Sequence, residues 1–184
     1  MKFKQLLESG RLYDTDKYTI HDYIDGYYEY EFASKQTVPI TILEIGVGKG
    51  YSIRLWNDYF SHATIVGMDI YDWAVEMYRY TPNVKIMQVD AYSTVVIDKF
   101  PDETFDYIID DGPHTLDSQI ISIQKWLPKV KRNGKLIIED VQSMDFIQDF
   151  QNTLNMKSVL SYRTIDLRKN KNRYDDIIFE IIKK

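Results

Sequence analysis

The sequence contains no cysteine among its 184 residues. A disulfide framework and a zinc site built on thiolates are therefore excluded. The sequence also has no apolar run near the roughly 20 residues that a helix needs to cross a bilayer. Its first ten residues, MKFKQLLESG, lack the apolar stretch of a secretory signal. These absences predict a cytoplasmic protein that has no membrane partner.

The chain also lacks an excess of positive charge. Its formal net charge is -5 and its pI is about 5.2. Since a protein needs a basic face to bind nucleic-acid phosphates, we expect no nucleic-acid partner. The length, with 44% hydrophobic residues, suits one domain with a full-sized core. We therefore expect a single domain over residues 1–184, with an N-terminal cap segment at 1–35 and the core at 36–184.

Short apolar stretches alternate with segments of helical spacing. Strands are predicted at 40–46, 63–70, 83–90, 105–111 and 134–141, and helices at 51–60, 71–80 and 115–130. This alternation implies parallel strands joined by right-handed crossovers. Two later apolar runs, KSVLSYRTIDL and RYDDIIFEIIKK, flank the polar segment RKNKN and predict an antiparallel hairpin. The prediction is an α/β fold: a Rossmann-like, doubly wound sheet of seven strands, mostly parallel, ending in that hairpin.

A glycine-rich turn follows the first predicted strand. Gly46, Gly48 and Gly50 would let the backbone approach a ligand closely, but Tyr51 interrupts the dinucleotide pattern Gly-x-Gly-x-x-Gly. Ligands of such sheets bind at the carboxyl ends of the strands, where Asp69 ends the second strand and Asp90, followed by Ala91, ends the third. A lone aspartate is more often a helix cap. Two of them beside a glycine turn favour an adenosine pocket.

Acidic residues are concentrated where the fourth and fifth strands end. Asp110 and Asp111 lie in FDYIIDDGPH, and Glu139 and Asp140 lie in LIIEDV. Neighbouring side chains on a strand point in opposite directions, so Asp110 and Asp111 cannot share one face. Converging carboxylates repel, and no basic residue lies between positions 107 and 124 to neutralise them. A hard divalent cation would relieve that repulsion and would prefer such oxygen ligands.

The pattern Glu44-x-Gly-x-Gly-x-Gly, followed by Asp69 and Asp90, resembles the cofactor site of class I S-adenosylmethionine-dependent methyltransferases. The resemblance implies that the glycine turn faces the methionine part of S-adenosyl-L-methionine. It also implies that Asp69 binds the ribose hydroxyls and that Asp90 faces the adenine. The cofactor residues expected from this resemblance are Glu44, Gly46, Gly48, Gly50, Asp69 and Asp90, and the predicted set also includes Ala91 and Asp110.

A narrower resemblance is to the metal-dependent macrocin/mycinamicin-type sugar O-methyltransferases. It rests on DDGPH at 110–114, IED at 138–140 and the upstream segment DTDKYTIHDY at 14–23, although Pro113 stands where that group usually has serine. The resemblance implies that Mg²⁺ (or Mn²⁺) is held by Asp111, Glu139 and Asp140. It also implies that His114 is the general base that deprotonates a hydroxyl of a sugar or glycan. His21 is a weaker candidate for a substrate or cofactor contact.

Two other functions fit the same residues. One is O-methylation of a catechol or another small molecule by the same metal chemistry. The other is a non-catalytic module that binds an adenosyl ligand. Methylation assays separate the first from sugar methylation, and tight cofactor binding without any methyl acceptor would favour the second. The expected partners are a small-molecule or glycan substrate and, as a possibility, further copies of the chain in a homo-oligomer.

Overall fold

A computed structural model describes residues 2–9 and 13–184 of the chain. Seven strands form a single sheet: β1 (Thr41–Ile45), β2 (Thr64–Asp69), β3 (Val84–Gln88), β4 (Phe105–Asp110), β5 (Val130–Ile138), β6 (Val159–Asp166) and β7 (Ile177–Lys183). Their order across the sheet is β3-β2-β1-β4-β5-β7-β6. The pairs among β1 to β5 are parallel, and β7 is antiparallel to both β5 and β6. The predicted seven-stranded fold class is confirmed.

Helices connect the strands and cover both faces of the sheet. They are α1 (Phe3–Leu7), α2 (Asp16–Thr19), α3 (Glu29–Phe32), α4 (Tyr51–Tyr59), α5 (Val75–Tyr78), α6 (Thr94–Ile97), α7 (Leu116–Ile121), α8 (Phe146–Thr153) and α9 (Arg168–Lys171). A π-helical turn at Ile24–Tyr28 leads into α3, and π-helical and 3-10 turns extend α7 to Lys129. No helix in the described ranges is long and apolar enough to cross a membrane.

The structure differs from the predicted elements in two connections. The helix expected at 71–80 is only α5, and Ile70, Tyr71 and Trp73, which lie outside it, line a cleft. The polar segment expected to be a simple turn forms α9, which ends where Asn172 adopts a left-handed φ of 56°. Asparagine tolerates that conformation better than most residues, so it can end the helix. The hydrophobic periodicity of residues 71–80 and of RKNKN does not predict either difference.

The strand register sets which residues meet at the carboxyl edge of the sheet. Ile45 of β1 pairs with Asp110 of β4, which in turn pairs with Ile138 of β5. The residues that immediately follow these strands therefore lie side by side. These are Gly46 after β1, Asp111 after β4 and Glu139 after β5.

The N-terminal cap packs its aromatic side chains against α4. The rings of Phe3 and Tyr59 stack with centroids 3.6 Å apart, and Tyr28 and Phe32 contact Trp56 at 5.0 and 5.7 Å. Phe3, Tyr28, Phe32 and Trp56 are fully buried. The tyrosine-rich segment thus contributes to the core, and this packing brings polar groups of the cap to the carboxyl edge of the sheet.

Candidate active site

A cleft of about 690 Å³ opens at the carboxyl edge of the parallel strands. Its walls include five of the residues predicted to bind a cofactor, which are Gly46, Gly48, Asp69, Asp90 and Ala91. The predicted metal ligand Asp111 and the predicted base His114 line the same cleft. Residues 14–16 of the cap close one side of it. The sequence-predicted adenosine pocket and part of the acidic group therefore share one cavity.

The glycine turn is shaped by close contacts on one side and open space on the other. Gly46 has a φ of 84°, and a Cβ atom there would lie 1.8 Å from the Asp111 carbonyl oxygen. Gly48 has a φ of 52°, and a Cβ there would have no atom within 4 Å. Its amide donates to Asp69 Oδ2 at 2.7 Å. Only glycine fits at position 46, and the turn presents bare backbone to the cleft at position 48.

Asp69 and Asp90 each organise the loop that follows their strand. Asp69 Oδ1 accepts a hydrogen bond from the Tyr71 amide at 2.9 Å, and Asp90 Oδ1 accepts one from the Tyr92 amide at the same distance. The rings of Tyr71 and Trp73 stack with centroids 4.4 Å apart, and both are about half exposed at the mouth of the cleft. A planar ligand can therefore pack against aromatic surface next to these carboxylates.

Three predicted cofactor residues lie behind the cleft wall. Glu44 is fully buried, and its Oε2 accepts from the Trp56 indole at 2.7 Å. Asp110 accepts from Tyr92 and from Ser122, each at 2.5 Å. Burial raises the pKa of both carboxyl groups. Gly50, the third, is the left-handed N-cap of α4, and its carbonyl accepts from Tyr78. Their cofactor roles stay predictions.

Lys17 lies in the middle of the acidic residues. Its ammonium group is 2.6 Å from Asp111 Oδ2, hydrogen-bonds Glu139 Oε2 and lies 3.4 Å from Glu44 Oε1. Positions between 107 and 124 in the sequence supply no basic residue, as expected. The cap supplies the cation from a distant position. The segment DTDK is part of the family resemblance, but nothing in its sequence indicates which groups Lys17 contacts.

One ammonium group does not fully compensate three buried carboxylates. Burial alone lowers the pKa of Lys17, but Asp111, Glu139 and Glu44 outweigh that effect and hold it well above its usual value. Burial raises the pKa of Glu139 to about 7 despite Lys17, and burial also raises that of Asp111. The raised pKa values mean that the ionised carboxylates stay destabilised in spite of Lys17, so a further cation, which stabilises the ionised form, is electrostatically favoured.

Asp111, His114 and Asp140 form a group that could hold a metal ion. Each offers a ligand atom, and these atoms lie within 4.8 Å of one another. His114 Nε2 is 3.8 Å from Asp111 Oδ1 and 3.5 Å from Asp140 Oδ2. His114 and Asp140 both have left-handed φ angles, 56° and 50°, a strained conformation that tends to occur at functional sites.

Glu139 is directed away from this group. Its Oε2 accepts from Lys17 and its Oε1 accepts from Tyr28 at 2.6 Å, so both oxygens are engaged. Asp140, the next residue, instead accepts at Oδ1 from Tyr23 at 2.5 Å and turns Oδ2 toward His114. The predicted ligands Asp111 and Asp140 are thus brought together. Glu139 lies beside them, on the far side of Lys17.

The sequence did not identify Lys17, Tyr23, Tyr28 or Tyr92 as site residues. Tyr23 and Tyr28 belong to the tyrosine-rich cap, whose composition alone fits half-buried surface as well as a pocket. Tyr92 follows Asp90 and Ala91 directly, so its position could have suggested it. The two cap tyrosines are recognised as site residues only from the tertiary structure, in which Tyr23 hydrogen-bonds Asp140 and Tyr28 hydrogen-bonds Glu139.

The fold and the cleft are those of an S-adenosylmethionine-type methyltransferase, and a family comparison agrees. The family model described as "Methyltransferase domain" matches residues 43–141. The chain belongs to this family, as its strand-end motifs predicted. The matched segment runs from β1 to the residues just after β5, so it includes the glycine turn and the acidic residues.

Curated relatives extend the comparison. The chain is 29% identical over 138 residues to the 8-demethyl-8-alpha-L-rhamnosyl tetracenomycin-C 2'-O-methyltransferase of Streptomyces olivaceus, a match that covers 70% of this chain and 35% of that protein. It is also 29% identical over 146 residues to the mycinamicin VI 2''-O-methyltransferase of Micromonospora griseorubida, covering 74% and 36%. The chain spans about a third of the length of these relatives.

Solved structures share the fold. The MycE methyltransferase from the mycinamycin biosynthetic pathway, in complex with Mg, SAH and mycinamycin VI, superposes with a TM-score of 0.75 at 19% identity. That match covers 100% of this chain and 54% of the other. A putative S-adenosylmethionine-dependent methyltransferase from Methanococcus maripaludis superposes with a TM-score of 0.66 at 17% identity, covering 92% and 89%.

Proposed function

We propose that this chain is an S-adenosylmethionine-dependent O-methyltransferase domain that acts on a hydroxyl group of a sugar or glycan. The observation that carries the proposal is that one cleft is lined both by the glycine turn with Asp69 and by Asp111 of the acidic group with His114. A methyl donor and a hydroxyl acceptor could therefore meet there. The curated relatives, which are named as methyltransferases of sugar hydroxyls, support this choice of acceptor.

S-Adenosylmethionine would occupy the side of the cleft formed by β1, β2 and β3. The open backbone at Gly48 would face the methionine part, and Asp90 with Ala91 would face the adenine. Asp69 would accept from the ribose hydroxyls. Its oxygens already accept from the amides of Gly48 and Tyr71, but each carboxylate oxygen has capacity for a second hydrogen bond. The same carboxylate would then hold both the glycine turn and the ribose.

Mg²⁺ fits the acidic side of the cleft. Asp111 and Asp140 offer carboxylate oxygens, the ligands that Mg²⁺ prefers, and a cation there would stabilise the ionised form of Asp111 that burial disfavours in spite of Lys17. Glu139 already accepts from Lys17 and Tyr28, so it would complete the set only by turning a remaining lone pair toward the ion. When bound, the ion lowers the pKa of a coordinated hydroxyl group and orients it.

His114 would serve as the general base. Its imidazole is partly exposed in the cleft, with Nε2 turned toward Asp111 and Asp140. Nδ1 is buried and has no hydrogen-bond partner among the described residues. Nε2 is thus the nitrogen that can take the proton from a sugar hydroxyl. The hydroxyl oxygen would attack the sulfonium methyl group, the S–CH₃ bond would break, and S-adenosylhomocysteine would leave. Lys17 would keep the Asp111 carboxylate in position for that hydroxyl.

A methyl-transfer assay with labelled S-adenosylmethionine tests the proposal. The acceptor panel contains glycosides with free hydroxyl groups, catechols and buffer alone. We expect methylated glycoside, loss of activity in EDTA and recovery with Mg²⁺ or Mn²⁺. Asp111→Asn should be inactive, whereas Asp117→Asn, at an exposed position of α7, should be active.

Other outcomes of this assay would overturn parts of the proposal. Labelled catechol with unlabelled glycoside would show that the acceptor is not a sugar. Full activity in EDTA would show that methyl transfer does not require a metal ion. Tight binding of the cofactor without transfer to any acceptor, measured by calorimetry on the same preparation, would favour the non-catalytic adenosyl-binding module.

A further inference from the structure

A second group of potential metal ligands lies on the other side of Asp140. His21 follows α2, and Asp175 and Asp176 immediately precede β7. Their relative exposures are only 4%, 6% and 0%. One ligand atom from each lies within 4.8 Å of the others. The antiparallel strand β7 thus brings two adjacent carboxylates against the cap histidine.

Two buried oxygens in this group have no donor. His21 Nδ1 contacts Asp176 Oδ1, and Arg173 Nη2 is 3.2 Å from Asp175 Oδ2. Asp175 Oδ1 and Asp176 Oδ2 are buried without any hydrogen-bond partner among the described residues. A buried carboxylate oxygen that lacks a partner is costly, and natural proteins keep few of them. Arg173 Nε is also buried without a partner among the described residues, but one N–H cannot satisfy two oxygens. The orphaned oxygens therefore point to a ligand that is positively charged.

The local charge also favours a cation. Asp140 lies beside the group, with Oδ1 3.5 Å from His21 Nδ1. Three carboxylates, those of Asp140, Asp175 and Asp176, are opposed by the Arg173 guanidinium and by the imidazole, which is charged only when protonated. The Lys171 ammonium group is also near, but it donates to the backbone carbonyls of Tyr18 and His21 rather than to these carboxylates. The hydroxyl of Tyr23 does not change this balance, since it is neutral and its single hydrogen lies between Asp140 Oδ1 at 2.5 Å and the Asp175 carbonyl oxygen at 3.1 Å.

We propose that His21, Asp175 and Asp176 form a second divalent-cation site, separate from the Asp111–His114–Asp140 group. One imidazole nitrogen with carboxylate oxygens is a donor set that suits Mn²⁺ or Zn²⁺ better than Mg²⁺, which favours oxygen alone. The bound cation would replace the contact between His21 and Asp176 and would satisfy the orphaned oxygens. It would also link the cap to the start of β7 beside Asp140.

Counting bound Mn²⁺ tests the proposal without any reference to activity. The full chain is stripped of metal and titrated with Mn²⁺, and free Mn²⁺ is counted by electron paramagnetic resonance. We expect two equivalents for the wild type and one for His21→Gln or Asp176→Asn. His62→Gln, which changes an exposed histidine, is the matched control and should keep two.

Further variants separate this site from the proposed catalytic metal. Asp111→Asn should keep the equivalent that depends on His21, and Asp111→Asn with Asp176→Asn should bind none. If the wild type binds one equivalent that Asp111→Asn abolishes, the second site does not exist. If Asp111→Asn binds as many Mn²⁺ equivalents as the wild type, the proposed catalytic metal site at Asp111 is wrong, whereas the proposed site at His21 is unaffected.

A spectroscopic measurement covers the case in which Asp176→Asn does not fold. The double variant Asp111→Asn, His114→Gln leaves His21 as the histidine of the remaining proposed site. Its bound Mn²⁺ should show coupling to an imidazole ¹⁴N nucleus in pulsed resonance spectra, and adding His21→Gln should remove that coupling. Bound Mn²⁺ without ¹⁴N coupling would overturn the assignment of His21 as a ligand.

Discussion

The ammonium group of Lys17 lies 2.6 Å from Asp111 Oδ2, although 94 positions separate the two residues in the sequence. Lys17 is 1% exposed, and Tyr28, from the same cap, donates to the Glu139 carboxylate that Lys17 also contacts. The cap therefore does more than cover the sheet. It neutralises part of the acidic group and holds Glu139 and Asp111 in fixed orientations.

Replacing Lys17 with methionine should strongly destabilise the metal-free protein. The change leaves buried carboxylates without their cation, and breaking a buried ion pair costs about 3–5 kcal/mol. Urea unfolding in EDTA measures the loss. Lys129→Met is the control, since Lys129 pairs with the exposed Asp102 and should cost no more than about 1 kcal/mol. Equal losses for the two variants would show that Lys17 does not compensate the acidic group.

Removing the Asp69 carboxylate should weaken cofactor binding. Asp69→Ala deletes a charged acceptor proposed to bind the ribose hydroxyls and also frees the Gly48 amide. Hydrogen bonds to a charged group are worth roughly 1.5–3 kcal/mol, so we expect S-adenosylhomocysteine affinity to fall by about 2 kcal/mol or more. Calorimetry measures this. Asp98→Ala, at the exposed end of α6, should bind as the wild type does; unchanged affinity in both variants would exclude Asp69 from the site.

His114→Ala separates a general base from a metal ligand. If His114 is the base, His114→Ala should lower kcat by roughly 10²–10⁴-fold, while the cofactor and Mg²⁺ affinities of the variant stay close to those of the wild type. Single-turnover methyl transfer and calorimetry provide the two readouts. A parallel loss of Mg²⁺ affinity and activity would make His114 a ligand instead. Unchanged kcat would leave it as a turn residue.

Glu180 should stabilise the fold above acidic pH. Burial alone raises its pKa, but hydrogen bonds from Arg163, Tyr27 and Lys135 outweigh burial and the net pKa is lowered. A carboxyl group with a lowered folded-state pKa adds stability that is present above its unfolded pKa, about 4.3, and is lost as pH falls through the folded value. Glu180→Gln should therefore cost about 2 kcal/mol at pH 7 and progressively less below pH 4.3.

Urea unfolding of the wild type and Glu180→Gln across that pH range measures the difference between them. Glu103→Gln, at a half-exposed side chain, is the control and should show little difference at any pH. A gap between wild type and Glu180→Gln that stays constant down to pH 3 would mean that the Glu180 carboxylate is not the titrating group.

Most of the sheet and half of the cleft could be predicted from sequence because they depend on local patterns and general rules. β-branched apolar runs identify buried strands, and right-handed crossovers require parallel neighbours, so the carboxyl ends of β1 to β5 must share one edge. The side-chain period of two also predicts that Asp110 and Asp111 separate. They do so: Asp110 accepts from Ser122, and Asp111 accepts from Lys17.

Only the tertiary structure decided which groups meet across long sequence distances. The position of Lys17 among Glu44, Asp111 and Glu139 depends on how the cap packs its aromatic rings on α4. The contact of His21 with Asp176 depends on β7 lying between β5 and β6. Neither contact follows from hydrophobic periodicity. Buried ion pairs form where packing brings opposite charges together, and the positions of charged residues in the sequence do not predict that packing.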